Sequence, residues 1–119
     1  MAVNPEAVRA LSESSQQGPV VMLNLLKFRA DGGREGYERY AETATRLVAE
    51  RGGRILYVGE AAELLEGGED WDVVALAEYP SRATFLEMAS SEEFQAVAPL
   101  REQSLERAVL YATDPLADD

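Results

Sequence analysis

The sequence feature that most constrains the fold is an apolar run at residues 20–28, VVMLNLLKF. It is rich in residues that favour β-structure, and Gly18 and Pro19 mark its start. Two polar residues interrupt it, Asn24 in the middle and Lys27 near the end. The run predicts a first strand that is largely buried and whose polar residues need a separate explanation.

The remaining chain alternates between helical and strand patterns. Apolar residues at spacings of three and four predict a helix at 35–51, ended by the glycine pair at 52–53. Two further helical segments follow Pro80 and Ser90, and Pro99 is expected to break or bend the second. The later strands are predicted at 54–60, 71–79 and 107–113. This order predicts an α+β fold, a ferredoxin-like split βαβ arrangement whose four-stranded antiparallel sheet carries the main helices on one face.

The length of 119 residues fits one domain with a single core. We place that domain at 18–113. The segment 1–17 is expected to be a leader helix packed on it, since Asn4, Pro5 and Glu6 form a helix-start pattern. Residues 114–119 read as a loose acidic tail.

Composition excludes several classes of function. The formal charge of -11 opposes binding to nucleic acids and to anionic membranes. The chain has no cysteine and no histidine, so no thiolate chemistry or histidine-ligated haem is expected, and we predict no metal site and no cofactor. Neither a membrane-spanning run nor a signal pattern is visible, and a cytoplasmic protein is the expectation.

The strands indicate a partner. In the first strand Val20, Met22 and Leu26 have one parity, and Leu23 and Leu25 have the other. A sheet with one wet face should instead alternate apolar and polar residues. Because the helices can cover only one face, the other is expected to stack against a second copy, giving a homodimer.

Six residues are candidates for a site. Asn24 could hold a carboxylate or carbonyl of a ligand, or could satisfy a neighbouring backbone group. Arg101 could clamp a carboxylate or form an ion pair. Glu78, if buried, could serve as a general base, or it could pair with Arg54 or Arg101. The possible aromatic walls, which could equally be core, are Tyr40, Trp71 and Tyr79.

Taken together, these motifs resemble the DUF1330 family of the dimeric α/β-barrel superfamily. The resemblance starts at Gly18–Phe28, spans about residues 18–113 and rests on the order and spacing of several short pieces. The other pieces are Tyr37 and Tyr40, Gly52-Gly53-Arg54, Gly59-Glu60, Trp71-Asp72, Tyr79-Pro80-Ser81, Ser91-Glu92-Glu93-Phe94-Gln95 and Arg101.

The resemblance implies a ferredoxin-like homodimer and no particular activity. Members of the family often carry tyrosine where this chain has Phe94 and histidine where it has Leu100, so acid–base chemistry through those positions is not expected. The candidate residues and the resemblance together leave three hypotheses for the function. The first is binding of a small carboxylated or carbonyl-bearing molecule. The second is a cofactor-independent isomerase or monooxygenase with Glu78 as base, and the third is a structural or regulatory dimer without a ligand.

Overall fold

The computed structural model describes residues 4–116. The predicted leader and acidic tail therefore extend beyond the described residues at 1–3 and 117–119. Four helices and four strands follow one another in these residues: α1 (Pro5–Glu13), β1 (Val20–Phe28), α2 (Gly33–Glu50), β2 (Arg54–Glu60), β3 (Val73–Tyr79), α3 (Arg82–Ala89), α4 (Glu92–Ser104) and β4 (Leu105–Thr113). No helix within 4–116 has the length and hydrophobicity that a bilayer crossing requires.

The strands form one antiparallel sheet in the order β2-β3-β1-β4. Met22 on β1 lies opposite Ala77 on β3 and Ala112 on β4, which places β1 in the interior of the sheet. This arrangement confirms the predicted α+β, ferredoxin-like fold. The apolar run at 20–28 is thus one of the two strands that pair on both sides, the other being β3.

Several element boundaries differ from the sequence prediction, among them the starts of α2, β3 and β4. β3 begins at Val73 rather than at 71, because Asp72 serves the preceding loop. The Asp72 amide donates to the carbonyl of Leu26, and its carboxylate accepts from the Phe28 amide at 2.9 Å. α4 continues through Pro99 instead of ending there. Pro99 and Gln95, whose carbonyl loses a donor at this step, are both exposed, so water can replace that donor.

The two faces of the sheet have different surroundings. On the face toward the helices, Val20, Met22 and Leu26 of β1 are buried. Met22 belongs to one apolar cluster, with Leu47 and Met88, and Leu26 belongs to a second. Asn24 lies between them on the same face, because alternate strand residues share a side. The opposite face, which we call the open face, has no helix of the described residues over it.

The approach of α2 to α4 positions the aromatic side chains above the sheet. Gly33 and Gly36 at the start of α2 are buried against Ser104 at the end of α4. A Cβ atom at Gly33 would lie 2.6 Å from the Ser104 carbonyl oxygen, so a larger residue could not take this place without displacing backbone. This close approach sets Tyr37 and Tyr40, the next residues on the inward side of α2, near Arg101 of α4.

Candidate functional site

A cavity of about 430 Å³ lies between the helix face of the sheet and the four helices. The sheet forms the floor of the cavity and leaves space there, because the residues beside Met22 and Asn24 are small: Ala75, Ala77 and Ala112. The rest of the wall is mostly apolar. The volume falls within the range of pockets that hold small organic ligands, about 300–1,000 Å³.

Asn24 and Arg101 form the polar centre of this cavity. Arg101 Nη2 donates to Asn24 Oδ1 at 3.2 Å, joining the middle of β1 to the last turn of α4. Arg101 is half-buried and is the one cation among the described residues that line the cavity. The sole lining carboxylate in this described set is Glu102, which is exposed. An anionic ligand group would therefore find one positive partner and no buried negative charge.

Three tyrosines line the cavity, two on α2 and one on β3. The rings of Tyr37 and Tyr40 lie 5.2 Å apart, and Tyr79 on β3 contacts Phe85 at 5.1 Å between centroids. Burial raises the pKa of Tyr79 to about 12, and it also raises the pKa of Tyr37 and of Tyr40 above 10.0, while the nearby positive charge of Arg101 opposes all three shifts. The hydroxyl groups therefore stay protonated near neutral pH and can donate hydrogen bonds.

These raised pKa values predict a loss of stability in alkali. Above pH 10.0, the ordinary tyrosine pKa, the unfolded chain loses protons that the folded chain still holds. The free energy of unfolding should therefore fall as pH rises from 10.0 toward 12, by up to about 1.4 kcal/mol per pH unit for each such tyrosine. Urea unfolding at several pH values measures this slope. Tyr79→Phe should make the slope shallower, and an unchanged slope in that variant would contradict the assignment.

Of the six predicted site residues, the structure brings four together. Asn24, Arg101, Tyr40 and Tyr79 all line the cavity. Sequence reasoning missed Tyr37 as a site residue and also missed the alanine floor. The parity of Ala75 and Ala77 in β3 was a usable signal, because small residues on the buried side of a strand leave space.

The structure does not bring Glu78 into the cavity. Its register partner on β1 is Val21, which has the opposite parity to Asn24, so its side chain lies on the open face. There Arg54 Nε donates to Glu78 Oε1 at 3.0 Å. The predicted proximity of this carboxylate to Asn24 and Arg101 is therefore corrected, and the arginine pairing with Arg54 is the arrangement found.

Trp71 also lies outside the cavity lining. The guanidinium of Arg107 lies 4.5 Å from the centroid of its ring, in the loop before β3. Beside it, Lys27 Nζ contacts Asp70 at 2.8 Å and Asp72 at 3.6 Å. The hydrogen bond that Lys27 donates to Asp70 raises the pKa of Lys27, so this amine is protonated and is not a nucleophile at neutral pH. This group of residues anchors the β2–β3 loop to the end of β1.

The described residues contain no cluster of three His, Cys, Asp or Glu side chains that could hold a metal ion. The lining of the cavity points to hydrogen bonding and charge pairing with an organic molecule. Asn24, Arg101 and the hydroxyls of Tyr37 and Tyr40 are the groups available for it, since the Tyr79 hydroxyl donates to the Met88 sulfur.

Comparison with known structures supports the fold over the full length of the chain. The chain is similar to the RPA0582 protein of unknown function from Rhodopseudomonas palustris, with 27% identity, a TM-score of 0.90, and coverage of 98% of this chain and 97% of that one. It is similar in fold to At3g17210 from Arabidopsis thaliana, at 14% identity, a TM-score of 0.69, and coverage of 84% and 98%. A DABB family protein with a ferredoxin-like fold from Mesorhizobium loti matches at 14% identity, a TM-score of 0.59, and coverage of 85% and 100%.

No curated protein matches this sequence. The family model described as "Domain of unknown function (DUF1330)" matches residues 32–114. That range includes the helices α2 to α4 and the strands β2 to β4, with most of the residues that form the cavity. The chain therefore belongs to the DUF1330 family.

Proposed function

We propose that this protein binds a small carboxylated or carbonyl-bearing organic molecule in the cavity between sheet and helices. The observation that carries the proposal is the Arg101–Asn24 pair, set 3.2 Å apart in the wall of a mostly apolar cavity. A half-buried guanidinium is costly to desolvate unless an acceptor is supplied. Asn24 supplies one neutral acceptor, and an anionic ligand would supply a stronger one.

The geometry of Arg101 suits a carboxylate. The bond to Asn24 Oδ1 uses Nη2, which leaves donors of the planar guanidinium for a second acceptor. Two parallel N–H groups match the two oxygens of a carboxylate. The same bond leaves the Asn24 amide group free to donate to the ligand as well. The tyrosine hydroxyls add neutral donors without adding competing negative charge.

We favour binding over catalysis. A cofactor-independent isomerase or monooxygenase would need a base near the ligand, and Glu78 lies on the other face of the sheet. Glu102, the sole lining carboxylate among the described residues, is exposed and is not set up as a buried base. The tyrosines, protonated near neutral pH, do not replace it. The binding function is thus the one that the described cavity residues support best.

We further propose that the molecule is a homodimer formed through the open face. The side chains that lie on this face are mostly apolar and only partly covered within one chain: Val21, Leu23, Leu25, Tyr57, Val74, Leu76, Val109 and Tyr111. Monomeric soluble proteins rarely expose contiguous apolar patches larger than a few hundred Å². A second copy stacked sheet on sheet would cover both patches by one contact.

Filling the cavity tests the binding proposal. We expect small organic acids to raise the unfolding temperature of the native chain in a thermal-shift screen, because a ligand that binds only the folded state stabilises it. Ala75→Leu places a larger side chain on the cavity floor beside Asn24 and should abolish that shift. Its own stability should be unchanged or higher, by about 0.5–2 kcal/mol, as for other cavity-filling changes.

Ala49→Leu makes the same chemical change at an exposed position on α2 and serves as the matched control. It should keep the full ligand-induced shift. Acids that stabilise Ala75→Leu as strongly as the native chain would show that they bind elsewhere.

A further inference from the structure

We infer that the ligand is a monocarboxylate with a flexible apolar tail, and that Val8 and Leu11 of α1 limit the length of that tail. The inference rests on the proposed function, since it places the carboxylate on Arg101. It adds where the rest of the molecule lies and which element selects its length. The carrying observation is the one-sided distribution of polar groups along the cavity.

The charged and amide side chains of the lining, Arg101, Glu102 and Asn24, lie in one part of the cavity, and the wall beyond Met22 is mostly apolar. Leu11, Phe85 and Leu86 line that part, together with Met88 and Ala77. The hydroxyl of Tyr79 at this end donates a hydrogen bond to the Met88 sulfur at 3.8 Å, so its donor is already satisfied within the chain. A ligand that is polar throughout would leave its far end without partners, whereas an apolar tail would be matched.

The helix α1 closes this apolar end. Leu11 packs on the cluster that contains Val20, and Val20 precedes Asn24 by four residues on β1, roughly 13 Å along an extended strand. Ala7 and Val8 also line the cavity. A tail that starts at Arg101 and follows the strand would therefore meet α1 at its far end.

The position of α1 rests on the contacts that its side chains make with the cavity wall and with α3. None of its residues is buried, and it is joined to β1 by the exposed residues 14–19, in which Gly18 has a φ of 91°. Its apolar side chains face the cavity and α3. Contact with a ligand tail would bury more of Val8 and Leu11, and this makes α1 the element that responds to tail length.

The test measures binding of straight-chain carboxylates, from acetate to dodecanoate, to the full chain by calorimetry. Each methylene that enters the apolar part should strengthen binding about fourfold, until the tail meets α1 and the gain stops. Matched primary alcohols should bind much more weakly, because they lack the anionic group for Arg101.

Two variants of α1 test its role. Leu11→Ala should weaken long acids and leave acetate unchanged, and Val8→Phe should move the optimum to shorter acids. Leu65→Ala, at a leucine that is 93% exposed in the β2–β3 loop, should leave the series unchanged. The inference would be overturned, while the proposed function stands, if carboxylates bind with no dependence on chain length. It would also be overturned if both α1 variants show the same length limit as the native chain. If none of these straight-chain acids binds while another acid or a carbonyl compound does, the inference alone is overturned; if no carboxylated or carbonyl-bearing molecule binds, both are overturned.

Discussion

Replacing Arg101 with leucine is expected to weaken carboxylate binding by roughly 10- to 100-fold. The reason is that a hydrogen bond to a charged group is worth about 1.5–3 kcal/mol, and each 1.4 kcal/mol changes an equilibrium tenfold. Arg101 is the one cation among the described residues that line the cavity, so no neighbour can replace it. Titration calorimetry with an acid found in the thermal-shift screen gives the ratio of dissociation constants.

Arg101→Lys separates charge from shape. Lysine keeps the positive charge and lacks the planar pair of donors. We expect it to recover part of the lost affinity if the carboxylate is held at both oxygens. Since removal of Arg101 leaves Asn24 without its partner, urea unfolding of each variant must accompany the binding measurement. Equal binding by the native chain and Arg101→Leu would remove Arg101 from the site.

Two controls decide between alternative sites. Arg39→Leu makes the same substitution on the exposed side of α2, away from the cavity, and should bind as the native chain does. Glu78→Gln should also leave binding unchanged, because Glu78 lies on the open face beside Arg54. A large loss in Glu78→Gln would instead favour the sequence-based hypothesis that this carboxylate takes part in the site.

The candidate site could be predicted only in part, and the reason is the register between strands. Parity within β1 shows that Asn24 shares a side with Met22 and Leu26, and this holds in the structure. The same argument within β3 puts Glu78 on the side of Val74 and Leu76. Which side of β3 matches which side of β1 depends on their pairing, and the pairing of Val21 with Glu78 is not encoded in either strand alone.

The fold could be predicted more fully than the site, because each helix and strand is indicated by residues that are close together in the sequence. Glycine pairs, caps and apolar spacing predict where each helix and strand lies, and the ferredoxin-like topology follows from their sequence. The pairing of Arg101 with Asn24 spans most of the chain and depends on the tight contact of Gly33 and Gly36 with Ser104. Sequence reasoning placed Trp71 in a strand, whereas Asp72 draws this segment into a loop.

Leu23→Asp is expected to convert a dimer into a monomer. Leu23 lies at the centre of the open face, opposite Leu76 on β3 and Tyr111 on β4. In a twofold interface one substitution places two carboxylates in the contact, and an unpaired buried charge costs several kcal/mol. The dissociation constant should therefore rise at least roughly 100-fold. Size-exclusion chromatography with light scattering should show the native chain at twice 13.0 kDa and the variant at 13.0 kDa.

Leu65→Asp introduces the same charge at a leucine that is 93% exposed in the loop between β2 and β3, outside the strands of the open face, and should remain dimeric. A native chain that elutes at 13.0 kDa would contradict the proposed interface. The cavity lies on the other face of the sheet, so monomeric Leu23→Asp should still bind the carboxylate. Loss of binding together with loss of the dimer would mean that assembly holds the sheet in the shape that the site requires. Retained binding would show that site and interface, though they share β1, are energetically separate.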